Sequence, residues 1–136
     1  AAVQIPLLHI ADATAHRIRA AGLTRVGLLG TRFTMEEAFY RERLQERHGL
    51  VVTVPGAEDR ELVHRVIYEE LVLGRIHLES RREYQRIVRD LVAEGAEGVI
   101  LGCTEIGLLL RPEDTETPLF DTALIHAEAA ADFALG

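Results

Sequence analysis

Short runs that are apolar throughout, each closed by a glycine or proline and separated by long amphipathic stretches, constrain this chain more than any other feature. RVGLLG (25–30), LVVTV (50–54) and GVILG (98–102) show no sustained alternation of polar and apolar residues. A strand with one wet face alternates, whereas a strand apolar along its length is buried on both faces, as in a parallel sheet covered on each side. The segments between these runs read as helices. TRFTMEEAFYRERLQERHG turns helical with Glu36 and Glu37 in its first turn and Gly49 as its stop. AEDRELVHRVIYEELVLG sets Leu62, Val66 and Leu73 on one side and ends at Gly74. ESRREYQRIVRDLVAEG spaces Tyr84, Ile87, Val88 and Leu91 at helical intervals. IPLLHI (5–10) is a short strand or the extended lead-in to a helix over about 12–21, with Asp12 or Thr14 near its cap. PLF (118–120) is a further strand and 122–135 a closing alanine-rich helix. The alternation predicts an α/β fold: a parallel β-sheet flanked by helices on both faces.

The remaining bulk properties narrow the function. A chain of 136 residues without repeat or linker reads as one domain, 1–136. No apolar run approaches the ~20 residues of a membrane span, and no basic segment precedes an apolar one as in a leader. One cysteine cannot form an internal disulfide, which suits a cytoplasmic setting. A net charge of −7 without a basic cluster argues against nucleic acid as a partner. All 15 cationic residues are arginine, so no lysine is available for a Schiff base with pyridoxal phosphate or a carbonyl substrate.

In open parallel sheets ligands bind beyond the carboxyl ends of the strands. Three polar clusters fall there: Gly30-Thr31-Arg32-Phe33-Thr34-Met35, Gly102-Cys103-Thr104-Glu105, and Asp121-Thr122. In the first, a glycine allows close approach, the next helix offers amide donors suited to a carboxylate or phosphate, and Thr31 and Thr34 add hydroxyls. Thr34 followed by Glu37 equally fits a capping box, and the two roles can coexist. Cys103 has two readings. A lone cysteine is usually an inert apolar filler, yet this one stands past a strand and before a short helix (105–110), where amides lower a thiol pKa toward neutrality. Glu105 opposes that unless it is held away or relays the proton. His9, Asp12 and His16 could share a helix face, but no further ligand has a metal-site spacing, so no metal is expected. His48 and His64 read as solvated helix positions, His77 as a loop residue, and Phe39, Tyr40 and Tyr68 as core or interface residues.

GT-x-x-TM within RVGLLGTRFTMEEAFYRERL, LGCTEI within AEGAEGVILGCTEIGLLL, and FDT-x-x-IHA within PLFDTALIHAEAA follow one another in this order, with VVTVP and IYEELVLG between them. Together they resemble the aspartate/glutamate racemase superfamily, most nearly its cofactor-independent, broad-specificity amino-acid racemase branch. That resemblance implies a two-domain, pseudo-symmetric α/β fold with the active site between the halves, commonly in a homodimer. This chain would be the C-terminal portion, and its last helix (122–135) would pack on a first domain that precedes it. The resemblance makes Cys103 one of two catalytic acid/base residues and Glu105 the support for its proton traffic. It makes Thr104 a contact to substrate carboxylate or amine. Gly30, Thr31, Thr34 and Met35 would line the substrate site, with Asp121, Thr122 and His126 supporting. The second acid/base would lie on the first domain. Some aspartate-specific relatives carry a lysine near the position of Val72, which favours a broader or less acidic substrate range here. The implied activity is racemisation without cofactor by thiol-mediated transfer of the Cα proton. The rivals are decarboxylation or isomerisation chemistry of the same superfamily, a non-catalytic module binding a small carboxylate, and a redox-sensing thiol.

Overall fold

Four short strands, Arg25–Leu29 (β1), Val51–Thr53 (β2), Gly98–Leu101 (β3) and Leu119–Asp121 (β4), pair in the order β2-β1-β3-β4, all parallel. The computed structural model describes the backbone of residues 4–135 and, within it, the side chains of 9–128. The pleat sends alternate residues to opposite faces, and both faces are covered. Val26, Leu28 and Ile100 pack with Ala11, Ala15 and Ile18 of helix α1 (Gln4–Ala20) and with Tyr40 and Leu44. Leu29, Val99 and Leu101 pack on the other side against α4 (Ala57–Glu69) and α5 (Leu78–Ala93). There Tyr84, Ile87, Val88 and Leu91 are all buried, as their spacing predicts. Gly27 is required by this second contact, because a Cβ on it would lie 2.8 Å from Leu91 Cδ1.

Three expectations need correction. IPLLHI is not a strand or an extended lead-in: α1 already begins at Gln4. Pro6 sits in the first turn, where a missing amide costs nothing, and the side chains of residues 5–8 lie outside those described. Asp12 and Thr14 are therefore mid-helix rather than caps. Thr14 donates its hydroxyl to Ile10 O (2.7 Å), while Asp12 grips Arg43, which stands on the same face of the sheet. The segment after β1 is helical but broken. Helix α2 (Arg32–Glu36) stops at Glu37, which is extended (φ −73°, ψ 124°), and α3 (Ala38–Glu42) runs on into a π-helical turn, Arg43–Arg47. Leu73 does not share the buried face of α4. That helix ends at Glu69 and a 3-10 turn, Leu71–Leu73, follows, so the buried residues are Val63, Val66, Ile67 and Leu71 while Leu73 is exposed.

A short helix α6 (Ile106–Leu109) follows β3, and the closing helix α7 (Thr122–Leu135) follows β4. Within this chain α7 lies along α1, and Arg17 pairs with Glu128 between them. Side chains of α7 beyond Glu128 lie outside those described. Among the described residues no helix is long and apolar enough to cross a membrane.

Candidate active site

The carboxyl ends of β1, β3 and β4 bring the three polar clusters to one edge of the sheet. Gly102 extends the β1–β3 pairing by one bond, its amide donating to Leu29 O at 2.7 Å. A Cβ on Gly102 would lie 3.1 Å from both that carbonyl and Thr34 Cγ2, so the approach of the Thr34 turn to the end of β3 depends on this glycine. Two residues on, the chain bends into α6, and the Cys103 thiol donates to Glu105 Oε2 at 2.9 Å.

Cys103 is half-buried and packs against the α4/α5 side of the core. Burial is the main reason its thiol is pushed up to about 11, and the Glu105 carboxylate adds to the rise. The amides of Glu105 and Ile106 do pull the other way, as expected for a thiol ahead of a helix, but they are outweighed. The resting group is thus a protonated thiol held by a carboxylate rather than a poised thiolate. Nearby, Tyr84 donates its hydroxyl to Val63 O (2.8 Å), and burial raises its pKa strongly.

Thr31, not Thr34, caps the helix: its Oγ1 accepts from the Thr34 amide at 3.2 Å and lies 3.2 Å from Thr34 Oγ1. The Glu37 carboxylate takes no part, so the capping box does not form. Nor is the first turn of α2 open to an anion at every amide. The Arg32 N–H is taken by His64 Nδ1 at 2.8 Å. His64, read from sequence as a solvated helix residue, therefore holds the start of the Thr31–Thr34 turn, and Arg32 pairs with Glu61 on the same helix as His64.

A cavity of about 300 Å³ opens beside this turn. Thr34, Gly102, Thr104, Thr122 and His126 line it, and so do Ile10, Phe33, Glu37, Phe39, Tyr40 and Ala123. Cys103 lies between two lining residues without forming part of the wall. Met35 is fully buried in the core rather than at the cavity, and neither Gly30 nor Thr31 lines it. Asp121 and Thr122 act structurally. Asp121 Oδ1 accepts from the amides of Ala123 (3.0 Å) and Leu124 (3.2 Å), and Thr122 donates its hydroxyl to Leu101 O (3.0 Å). His126 is exposed at the rim. Val72 is exposed on the 3-10 turn and does not line the cavity. The aromatic wall was missed from sequence because Phe33, Phe39 and Tyr40 belong to two short helices whose facing is set by the break at Glu37. Among the described residues no cluster of His, Cys, Asp and Glu is placed to hold a metal ion, and Asp12 is occupied by Arg43 and by His48 (2.8 Å).

Fold and site together define an α/β protein that carries a thiol–carboxylate pair and a cavity at the carboxyl edge of a parallel sheet. The chain belongs to the Asp/Glu/Hydantoin racemase family, which it matches over residues 1–130. A solved Asp/Glu racemase candidate from Yersinia pestis shares 56% sequence identity with a TM-score of 0.90, covering 95% of this chain and 56% of that one. An aspartate racemase homologue from Pyrococcus horikoshii OT3 superposes with a TM-score of 0.87 at 39% identity, over 93% of this chain and 55% of its own. The chain thus spans a little over half the length of these solved relatives. An "uncharacterized protein in pnlA 3'region" of Pectobacterium carotovorum subsp. carotovorum is 30% identical over 115 residues, 82% of this chain and 73% of that protein.

Proposed function

We propose that this chain supplies one acid/base half of an amino-acid racemase that works without pyridoxal phosphate. The observation that carries the reading is the Cys103 thiol, half-buried past the end of β3 and donating to Glu105 at 2.9 Å. The Cα proton of an amino acid is a very weak acid. Without an electron sink, the developing carbanion has to be met by oriented donors and by proton transfer in place. Thr34 and Thr104, which line one cavity, suit the grip on a substrate carboxylate.

Because the thiol rests protonated, this half is the proton donor. A base on the opposite face, carried by the adjoining part of a longer protein, removes the Cα proton, and Cys103 delivers its own to the other face. In the reverse direction the thiolate left by that delivery is the base and retakes the Cα proton from the same face. Glu105 accepts the thiol hydrogen bond and so positions the sulfur for both directions.

The test is isotopic. In the full-length protein carrying this chain, amino acids incubated in deuterium oxide gain deuterium at Cα, and Cys103→Ala abolishes the gain. Absence of exchange with every proteinogenic amino acid would sink the reading.

A further inference from the structure

The turn that brings Thr34 to the cavity is held from outside by a neighbouring helix, and the hold passes through an imidazole. Arg32 opens α2, and its amide donates to His64 Nδ1 at 2.8 Å. Two residues on, Thr34 lines the cavity, and its own amide is taken by Thr31 Oγ1. His64 is half-buried on α4, and its ring lies against that of Tyr68 one turn further along, with centroids 4.7 Å apart at 42°. Packing against that ring restricts the imidazole, so the nitrogen it presents to the amide is a fixed one.

An imidazole nitrogen accepts a hydrogen bond only while it carries no proton. The Arg32 amide therefore requires a neutral His64 with its one ring proton on Nε2. Protonation fills Nδ1 and sets two N–H groups against each other, at a residue type whose charge ordinarily changes between about pH 5 and 8. Helical spacing places Arg60, Glu61 and Tyr68 of α4 around His64, and α2 adds Arg32 and Glu36. Both carboxylates are engaged, Glu61 by Arg32 and Glu36 by Arg60 (3.3 Å). Helix α5 meets α4 elsewhere, through Arg86 at Asp59 and the Tyr84 hydroxyl at Val63 O, and Glu70 beyond α4 is taken by Ser80 (2.6 Å). Carboxylates, tyrosine and arginine ordinarily titrate outside the interval in which an imidazole does. At this junction that interval belongs to the histidine.

We infer that His64 is the positioning residue of the Thr31–Thr34 turn and that only its neutral form sets this turn for substrate, so that proton uptake by His64 and substrate binding oppose each other. The inference rests on the racemase reading above, in which Thr34 grips the substrate carboxylate, and it adds control by pH at that same site. Linkage makes the opposition reciprocal: acid weakens substrate binding, and bound substrate makes His64 harder to protonate. The effect falls on KM, because the grip is made in the ground state and the transition state alike.

Two readouts on the full-length protein test this. NMR of the ring nitrogens should find neutral His64 as the Nε2–H tautomer, and saturating amino acid should lower the pH at which His64 takes up its proton. In deuterium exchange at Cα, with the amino acid that exchanges fastest, KM should rise roughly five-fold from pH 8 to pH 5.5, as for the loss of one neutral hydrogen bond. His64→Asn, whose Oδ1 accepts the same amide and does not titrate, should hold KM level over that range, while His64→Ala should raise it at both ends. A level KM in the unaltered protein overturns the inference, as does a rise that His64→Asn retains or a KM that His64→Ala leaves unchanged. In each of these cases exchange is still seen and the racemase reading stands. An Nδ1–H tautomer, or a His64 titration unmoved by saturating amino acid, also overturns it, and this measurement decides the matter where neither variant folds. No exchange with any amino acid removes the racemase reading and this inference with it.

Discussion

At the scale of single residues the decisive balance is at Cys103, where two amides pull the thiol toward ionisation and burial and Glu105 push it back harder. The outcome is measurable without any substrate. Iodoacetamide alkylation of Cys103 should follow an apparent pKa near 11, so it is slow at neutral pH, and Glu105→Gln should speed it several-fold at pH 8 by removing the opposing charge. A profile centred near an ordinary thiol's value, insensitive to Glu105→Gln, would contradict the assignment and revive a redox-sensing role. The sign for stability follows from the same shift. A thiol whose folded pKa is raised contributes stability that is complete below its unfolded pKa of roughly 8.5 and fades as pH climbs toward 11. Thr31 is a simpler case. Its hydroxyl caps α2 through the Thr34 amide, so Thr31→Ala should cost about 1 kcal/mol in urea unfolding. An unchanged midpoint would show that the cap carries no weight.

Elements were legible where periodicity and punctuation agreed. RVGLLG and GVILG became β1 and β3, and the Tyr84–Leu91 spacing became the buried stripe of α5, because burial on both faces leaves no polar residue to blur the pattern. IPLLHI differs because a short apolar run with a proline near its start has the same look in a buried strand and in a helix that carries that proline in its first turn. The break at Glu37 carries no glycine or proline to announce it, and the aromatic wall that depends on it was hidden for the same reason. Polar site residues could be placed at strand ends from sequence alone. What could not be read was that Thr31 rather than Thr34 is the cap, or that His64 reaches the Arg32 amide, since both depend on how α2 and α4 meet. The contact of α5 with the sheet offers a test that a single substitution does not. Leu91→Ala empties a buried position and should cost 2–5 kcal/mol. Gly27→Ala forces a Cβ to within 2.8 Å of Leu91 Cδ1 and should also destabilise. In the double variant the new methyl occupies the space that the leucine vacates, so the combined loss should fall short of the sum by roughly 1 kcal/mol. Strict additivity would mean that the two do not meet.

At the scale of the whole molecule, the face of the sheet that carries the cavity is closed by a helix held at few polar points. Helix α1 contributes Ile10 to the cavity and supports α7, which contributes Thr122 and His126. Besides its apolar stripe, α1 is tied down by Asp12, which takes Arg43 through both oxygens (2.9 and 2.8 Å) and His48 through one (2.8 Å). His16 of the same helix meets His48 edge-on, with ring centroids 5.5 Å apart. The Arg43 hydrogen bond, aided by His48, holds the Asp12 carboxyl well below the usual carboxylate range despite the opposing effect of burial. A depressed folded pKa contributes stability that is complete above the unfolded value of about 3.9 and is lost as pH falls below it. Acid should therefore loosen α1, and with it the cavity wall; the Asp59–Arg86 pair between α4 and α5, whose carboxyl is likewise held low, weakens as pH falls too. Asp12→Asn should lower unfolding stability by about 1 kcal/mol at pH 7, a figure already reduced for solvent screening of a partly exposed pair. As pH falls below about 4 the gap between the variant and the unaltered protein should narrow steadily, closing only below the depressed folded pKa of Asp12. Urea titrations at pH 7, 5, 4 and 2.5 decide it: curves separated by the same interval at every pH would show that Asp12 acts through shape alone and that the ion pair does not hold the helix.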